Sequence, residues 1–198
     1  LDSLPWHELF SNSQLVALNE TAIRVLRPED HLRVLCTHWL LDGGGYKDKL
    51  WDIFYAVDRR AMDFDWQRCL DVVKPHRRGW VICAIALAHH FLKLHVDDLP
   101  FAAEAKQLPH WITCCVEREW TYPERLEPIL TSTHDIKLLF HQVVRRIPPN
   151  PIRATIEGEG DLYGRARWWY QFAVLGRRTG PFFCDVASML YRKVRNRS

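Results

Sequence analysis

The stretch GWVICAIALAHHFLKLH, residues 79–95, decides the fold because it is apolar on nearly every side. Most helices keep one polar face toward water, so a helix without one is typical of the centre of a helical bundle. Its longest apolar part, Trp80 to Ala88, is far shorter than the roughly 20 residues that span a bilayer. We therefore predict a buried central helix and no membrane association. Because no signal peptide is visible, we expect a cytoplasmic protein.

Three further helices are predicted before this stretch. The sequence PED at 28–30 opens the first, since proline suits a first turn and acidic side chains favour the positive end of the helix dipole. The glycines at 43–45 end that helix. The next helix covers about 46–61, and either Asp63 or Asp65 caps the third.

The remaining segments complete the predicted fold class. Further helices are predicted near 101–107, 109–120, 132–147, 162–177 and 180–196, and the Pro/Gly-rich segment 148–164 is predicted to be a loop. Two β-prone runs around Asn19-Glu20 predict a short hairpin. The expected fold is mainly α, a multi-helix bundle with a small N-terminal β-hairpin. Residues 1–27 form the hairpin edge segment and 28–198 the helical domain, with a candidate sub-boundary near 148–160.

The three glycines resemble a phosphate-binding loop only superficially. A Walker-type loop requires GxxxxGK[ST], with a lysine that reaches phosphate and a hydroxyl that binds magnesium. The sequence GGGYKDKL, residues 43–50, has neither the spacing nor the hydroxyl, and it joins a helix to a helix. We interpret it as the bend of a helical hairpin.

His38 and Asp52 lie at comparable heights on the two helices of that hairpin. A carboxylate beside an imidazole can orient it, so a structural hydrogen bond between them is the interpretation we favour. Contact of this pair with a nucleotide or substrate is the alternative.

Basic residues are concentrated toward the C-terminus. From Arg145 onward there are 11 basic and 4 acidic residues. Such a segment attracts phosphate, nucleic acid or an acidic partner, although a solvated helix face is the simpler explanation. The sequence RARWWYQF, residues 165–172, interleaves arginine with aromatic residues as single-strand binders do. Its helical spacing favours a core helix instead, and we do not expect nucleic acid as a partner.

No motif in the chain predicts metal or covalent catalysis. The six cysteines form no CxxC pair, so we interpret them as buried free thiols. There is no GxSxG sequence, and HHFLKLHVDD, residues 89–98, contains no His-Asp dyad. We expect no catalytic residue, no metal ligand and no cofactor within this chain.

Several segments in order resemble a known family. They are LPWHELF at 4–10, VLRPEDHLRVLCTHWL at 25–40, KLWDIFYAVDRRAMDFDWQRCLDVVKPH at 49–76 and LHVDDLPF at 94–101. This series resembles the helical portion of a family of nucleotidyltransferases within the polymerase β superfamily. The matching residues are Leu26, Pro28, Glu29, Asp30, Leu32, His38, Leu50, Trp51, Asp52, Asp65 and Trp66, with the Leu50-Trp51-Asp52 match in a shifted form.

The resemblance implies an α/β catalytic core before the helical part. In that core a Gly-Ser turn and an Asp-x-Asp strand would hold two divalent metals, with magnesium and a nucleoside triphosphate as its cofactor and substrate. None of these motifs occurs here. Since the chain starts at Leu1 without methionine, we expect the C-terminal part of a larger protein, or a remnant that lacks the core.

The function expected from the resemblance is positioning of a nucleotide or acceptor substrate, without catalysis by this chain alone. The candidate substrate contacts are His38, Asp52, Arg145, Arg146, Arg165 and Arg167. Two alternatives stay open. One is a helical protein-interaction module, with homo-oligomers as one form, and the other is a basic single-stranded nucleic-acid binder.

Overall fold

A computed structural model describes residues 4–71, 74–122, 147–164 and 167–177. It confirms the predicted class, a mainly helical bundle with a two-stranded antiparallel hairpin near its N-terminus. In chain order the described elements are α1 (Trp6–Ser11), β1 (Gln14–Leu18), β2 (Thr21–Val25), α2 (Pro28–Leu41), α3 (Lys47–Asp58), α4 (Trp66–Asp71), α5 (Pro75–Leu92), α6 (Ala102–Ala105), α7 (His110–Thr121), α8 (Pro151–Glu157) and α9 (167–177).

Helix α5 is the centre of the bundle, as its apolar sequence predicts. Every residue from Trp80 to Ala88 is buried, and α2, α3, α4 and α6 pack around it. The helix ends at Leu92 because Lys93 adopts the left-handed conformation, with φ of 63°. The His89 ring nitrogen Nδ1 lies 2.7 Å from the carbonyl oxygen of Leu94 and fixes the chain beyond this end. Among the described helices, none has the length and apolarity to cross a membrane.

The three glycines form the bend between α2 and α3, which confirms the helical hairpin. Gly43 and Gly44 have φ of 73° and 74°, a region that glycine enters without steric cost. The indole of the buried Trp39 donates to the carbonyl of Tyr46 at 2.8 Å, and that of Trp120 donates to the carbonyl of Gly44 at 2.9 Å. Because two indole side chains already bind backbone carbonyls of the bend, we interpret the bend as a packed structural element.

A buried ion-pair network joins α2 to α4. Asp30 is fully buried and accepts hydrogen bonds from Arg33 at 2.8 Å and from Arg68 at 2.6 Å. Asp65 caps α4, as predicted, because its carboxylate accepts from the backbone N–H of Arg68 at 2.8 Å. The acidic first turn of α2 therefore has two effects: it complements the helix dipole, and through Asp30 it holds α2 against α4.

The prediction that 148–164 is a loop is wrong for its middle part, where α8 forms. Asn150 caps this helix by accepting from the backbone N–H of Arg153 at 3.1 Å, and Pro151 occupies the first turn. Ile152 and Ile156 are buried in the same apolar cluster as α5. The four-residue spacing of Ile152 and Ile156 and the Asn150 cap favour a helix here in spite of the proline-rich composition.

Two other sequence predictions agree with the structure in part, and two fall on residues that it does not describe. The N-terminal edge segment contains helix α1 in addition to the hairpin. The helix predicted over 162–177 is present over 167–177, while residues 162–164 are not helical. The helix predicted over 180–196 lies outside the described residues, and so does that over 132–147 except for Ile147.

Candidate functional site

An open pocket of about 490 Å³ lies between α7, the start of α8, and α9. We call it the arginine pocket. Its lining residues are Trp111, Cys114, Cys115, Arg118, Pro151, Arg167, Trp168 and Gln171. The volume falls within the range of roughly 300–1,000 Å³ that is usual for small-molecule sites.

Helix α7 supplies one wall through residues at helical spacing. Cys114 and Cys115 follow Trp111 by three and four positions, and Arg118 follows them by four and three, so the four residues lie along one face of the helix. Cys115 is buried beneath this wall, while Arg118 is exposed and lies with its Nη2 atom 3.9 Å from the Cys115 sulfur. The Arg118 guanidinium therefore reaches back toward the buried thiol, although the residue as a whole is exposed and lines the pocket.

Helix α9 supplies the opposite wall. The guanidinium carbon of Arg167 lies 4.7 Å from the centroid of the Trp111 ring, a cation–π distance that brings α9 against α7. Gln171 donates from its side-chain amide to the carbonyl of Pro149 at 2.7 Å. Trp168 stacks on Trp169 with ring centroids 4.3 Å apart and remains 51% exposed.

Asn150 precedes Pro151 of the pocket lining and ties the start of α8 to the glycine bend. Its side-chain amide donates to Glu119 Oε1 at 2.9 Å and to the carbonyl of Gly43 at 3.2 Å. A Cβ added at Gly43 would come within 2.6 Å of the same amide. The glycine at this position thus permits the approach that holds α7, α8 and the α2–α3 hairpin together.

The electrostatic character of the pocket is cationic and aromatic. Arg118 and Arg167 both line it, and no carboxylate is found among the described residues of its lining. Guanidinium groups that line a pocket favour an anionic ligand, and they bind carboxylate and phosphate oxygens in a forked geometry.

The thiols divide into exposed and buried groups. Cys114 is exposed at the pocket, and its sulfur lies 3.3 Å from Nε2 of His110 on the preceding helical turn. Burial raises the pKa of the Cys115 thiol. It also raises the pKa of Cys69 to about 12 and that of Cys36 and Cys83 well above the ordinary value. These buried thiols are held in their neutral form.

The structure separates the substrate contacts that the sequence suggests. Arg167 lies in the arginine pocket. His38 and Asp52 are both exposed, on α2 and α3, and neither lines this pocket. The hydrogen bond predicted between them does not form, because each side chain faces solvent. Arg145, Arg146 and Arg165 lie outside the described residues.

Sequence reasoning missed Arg118, Trp111 and Gln171. Their only local signal is the spacing of 111, 114 and 118 within the predicted helix 109–120, which places an indole, a thiol and a guanidinium on one face. No motif reveals that α9 faces them. Across the described ranges, the His, Cys, Asp and Glu side chains form no group of three or more that could hold a metal ion.

Comparisons with known proteins give no assignment: no family model, curated protein or solved structure matches this chain.

Proposed function

We propose that this chain is a ligand-binding helical domain that holds an anionic, aromatic ligand of the nucleotide class in the arginine pocket. Its role is to position that ligand for a nucleotidyltransferase-like catalytic core outside these residues. One observation carries the proposal: Arg118 and Arg167 line the same pocket as Trp111 and Trp168. The catalytic core, with its magnesium and nucleoside triphosphate, rests on the sequence resemblance alone.

The two guanidinium groups supply the phosphate contacts. They come from different helices, α7 and α9, so they approach a ligand from opposite walls of the pocket. A phosphate between them accepts charge-assisted hydrogen bonds, each roughly twice as strong as a neutral one. Since Arg167 also packs on Trp111, its position is fixed before the ligand arrives, which reduces the entropy lost on binding.

The indole rings supply the surface for a base. Trp168 is half exposed at the pocket, and its stacking on Trp169 holds the ring in place. Stacking of a base on an aromatic side chain contributes about 1–3 kcal/mol. A ligand that joins a flat ring to a phosphate uses both the indole and the guanidinium groups.

The direct test is calorimetric titration of the chain with ATP, ADP, AMP and inorganic phosphate. We expect the nucleotides to bind more tightly than phosphate. Arg118→Gln and Arg167→Gln should each weaken nucleotide binding by about 1.5–3 kcal/mol, the usual contribution of a hydrogen bond to a charged group. Arg177→Gln is the matched control, because Arg177 is exposed on the same helix and does not line the pocket.

Two results contradict the proposal. One is nucleotide binding that Arg118→Gln and Arg167→Gln leave unchanged. The other is binding that falls equally in the Arg177→Gln control, which would indicate attraction to net positive charge and no defined site.

A protein-interaction module is the second candidate, favoured by an apolar ridge on α9. Trp168, Trp169 and Phe172 are 51%, 61% and 62% exposed. Exposed aromatic clusters of this kind are typical of protein interfaces. Substitution Arg118→Gln distinguishes the candidates, because Arg118 lines the pocket and lies outside the ridge: nucleotide binding is weakened, while an interaction module keeps its partner.

A further inference from the structure

An imidazole, a thiol and a guanidinium follow one another along one face of α7. His110, Cys114 and Arg118 are spaced four residues apart, so each lies about one helical turn from the next. The Cys114 sulfur lies 3.3 Å from Nε2 of His110 and 3.8 Å from its Nδ1. Cys114 and Arg118 both line the arginine pocket. This arrangement places a nucleophile between a proton acceptor and a cation.

Cys114 differs from the other cysteines that the structure describes. It is exposed, whereas Cys36, Cys69, Cys83 and Cys115 are buried. Burial also raises the pKa of each of these four thiols, which holds them in the unreactive protonated form. A disulfide in solution therefore has access to Cys114 and not to the other described thiols.

The pocket around Cys114 favours a disulfide that is negatively charged. Arg118 and Arg167 line the pocket from α7 and α9, and no described residue of its lining carries a carboxylate. Arginine binds carboxylates through forked, charge-assisted hydrogen bonds. The volume of about 490 Å³ is sufficient for a small peptide ligand. These features fit a small disulfide that carries several carboxylates.

We propose that Cys114 is a modification site that forms a mixed disulfide with glutathione, an anionic tripeptide thiol, by exchange with glutathione disulfide. Nε2 of His110 accepts the thiol proton, and the Cys114 sulfur attacks one sulfur of the glutathione disulfide. A bond forms between these two sulfurs, and the original S–S bond breaks. The departing glutathione keeps the electron pair of the broken bond, receives the proton from His110 and leaves as a thiol. Cys114 is thereby oxidised, and the departing glutathione is reduced.

The glutathione that stays attached lies in the arginine pocket. Arg118 and Arg167 bind its carboxylates, so the tripeptide occupies the space that the nucleotide needs. The modified chain should therefore lose its affinity for AMP. This regulatory consequence rests on the proposed function, whereas the exchange reaction itself requires no nucleotide.

Exchange kinetics of the whole chain test the assignment. Rate constants for glutathione disulfide and for uncharged hydroxyethyl disulfide are measured separately without nucleotide, and the adducts are located by peptide mass spectrometry. The ratio of the two rate constants, which we call the selectivity, cancels the intrinsic reactivity of the thiol. We expect the adduct at Cys114, and a selectivity that falls roughly tenfold in Arg118→Gln and in Arg167→Gln. Arg177→Gln is the matched control and should retain the selectivity, because Arg177 is exposed on α9 and does not line the pocket.

The role of His110 has a separate readout. His110→Gln should slow the exchange with both disulfides several-fold and leave the selectivity unchanged, because His110 supplies the proton acceptor and is not part of the pocket lining. Unchanged rates with both disulfides would contradict the proton transfer to this imidazole.

Three outcomes overturn the modification site: an adduct at another cysteine, a selectivity that Arg118→Gln and Arg167→Gln leave unchanged, or an equal fall in the Arg177→Gln control. Calorimetric titration of the unmodified chain with AMP separates this proposal from the proposed function. Binding of AMP without selective exchange refutes the modification site alone. Selective exchange without binding of AMP refutes the proposed function alone.

Discussion

Asp30 accepts a hydrogen bond from Arg68 at 2.6 Å, and this ion pair fastens the first turn of α2 to α4. Asp30 also binds Arg33, which is itself buried. Asp30→Asn removes the negative charge with which Arg68 and the buried Arg33 pair. We expect the free energy of unfolding to fall by about 3–5 kcal/mol, as measured by chemical denaturation.

The control for this substitution is Asp42→Asn. Asp42 pairs with Lys49 at 2.6 Å, but both side chains are partly exposed, so we expect a loss of at most about 1 kcal/mol. Equal losses in the two variants would show that the network around Asp30 contributes no more than a surface pair.

The glycine bend should be intolerant of a side chain. Gly44 has φ of 74°, and a Cβ there would come within 2.8 Å of Val116 Cγ2. We expect Gly44→Ala to destabilise the protein by about 1–3 kcal/mol through backbone strain and this contact. Gly79→Ala is the matched control within α5, where an added Cβ meets nothing within 4 Å. It should stabilise the protein by about 0.5–1 kcal/mol. A stabilised Gly44→Ala variant in thermal unfolding would refute this account of the bend.

Acid should weaken the link between α5 and the segment after α8. Hydrogen bonds from Lys74 and Arg77 lower the pKa of Glu159 from its ordinary 4.5 to about 2. Since the folded state favours the ionised carboxylate, its contribution to stability is complete above about pH 4.5 and is lost as the pH falls toward 2. We expect the free energy of unfolding, measured with urea across this pH range, to depend less on pH for Glu159→Gln than for the unaltered chain. Identical pH profiles would contradict the assignment.

Thiol reactivity should distinguish Cys114 from the buried cysteines. Cys114 is exposed at the arginine pocket, whereas Cys36, Cys69 and Cys83 are buried and their thiol pKa values are raised. With Ellman's reagent, we expect Cys114→Ser to remove a fast reaction of the native protein. The three buried thiols should react only after denaturant is added. Bound AMP should slow the reaction of Cys114, because that side chain lines the proposed site; unchanged kinetics with saturating AMP would place the ligand elsewhere.

Local patterns were sufficient to predict much of the bundle. The unbroken apolar run 80–88 in α5, the acidic proline start of α2 and the glycines after α2 are each encoded within a few neighbouring residues. Helix α8 was missed because two prolines precede it and a third is its first residue, although Ile152 and Ile156 already had helical spacing.

The candidate site was far less predictable. The approach of Arg167 to Trp111 joins two helices that are distant in sequence, and no local spacing determines which helix faces which. The same is true of Asp30 and Arg68, since an acidic first turn has the same sequence whether its carboxylate is solvated or buried. By contrast, the pairing proposed for His38 and Asp52 assumed inward-facing side chains, while the buried stripes of α2 and α3 place both residues on the outer surface.

The most direct test is a crystal structure of the chain with ADP. We expect electron density in the arginine pocket, with the base stacked on Trp168 and phosphate oxygens about 2.7–2.9 Å from the guanidinium nitrogens of Arg118 and Arg167. ADP bound at any other surface, with the arginine pocket empty at saturating concentration, would contradict the proposed function.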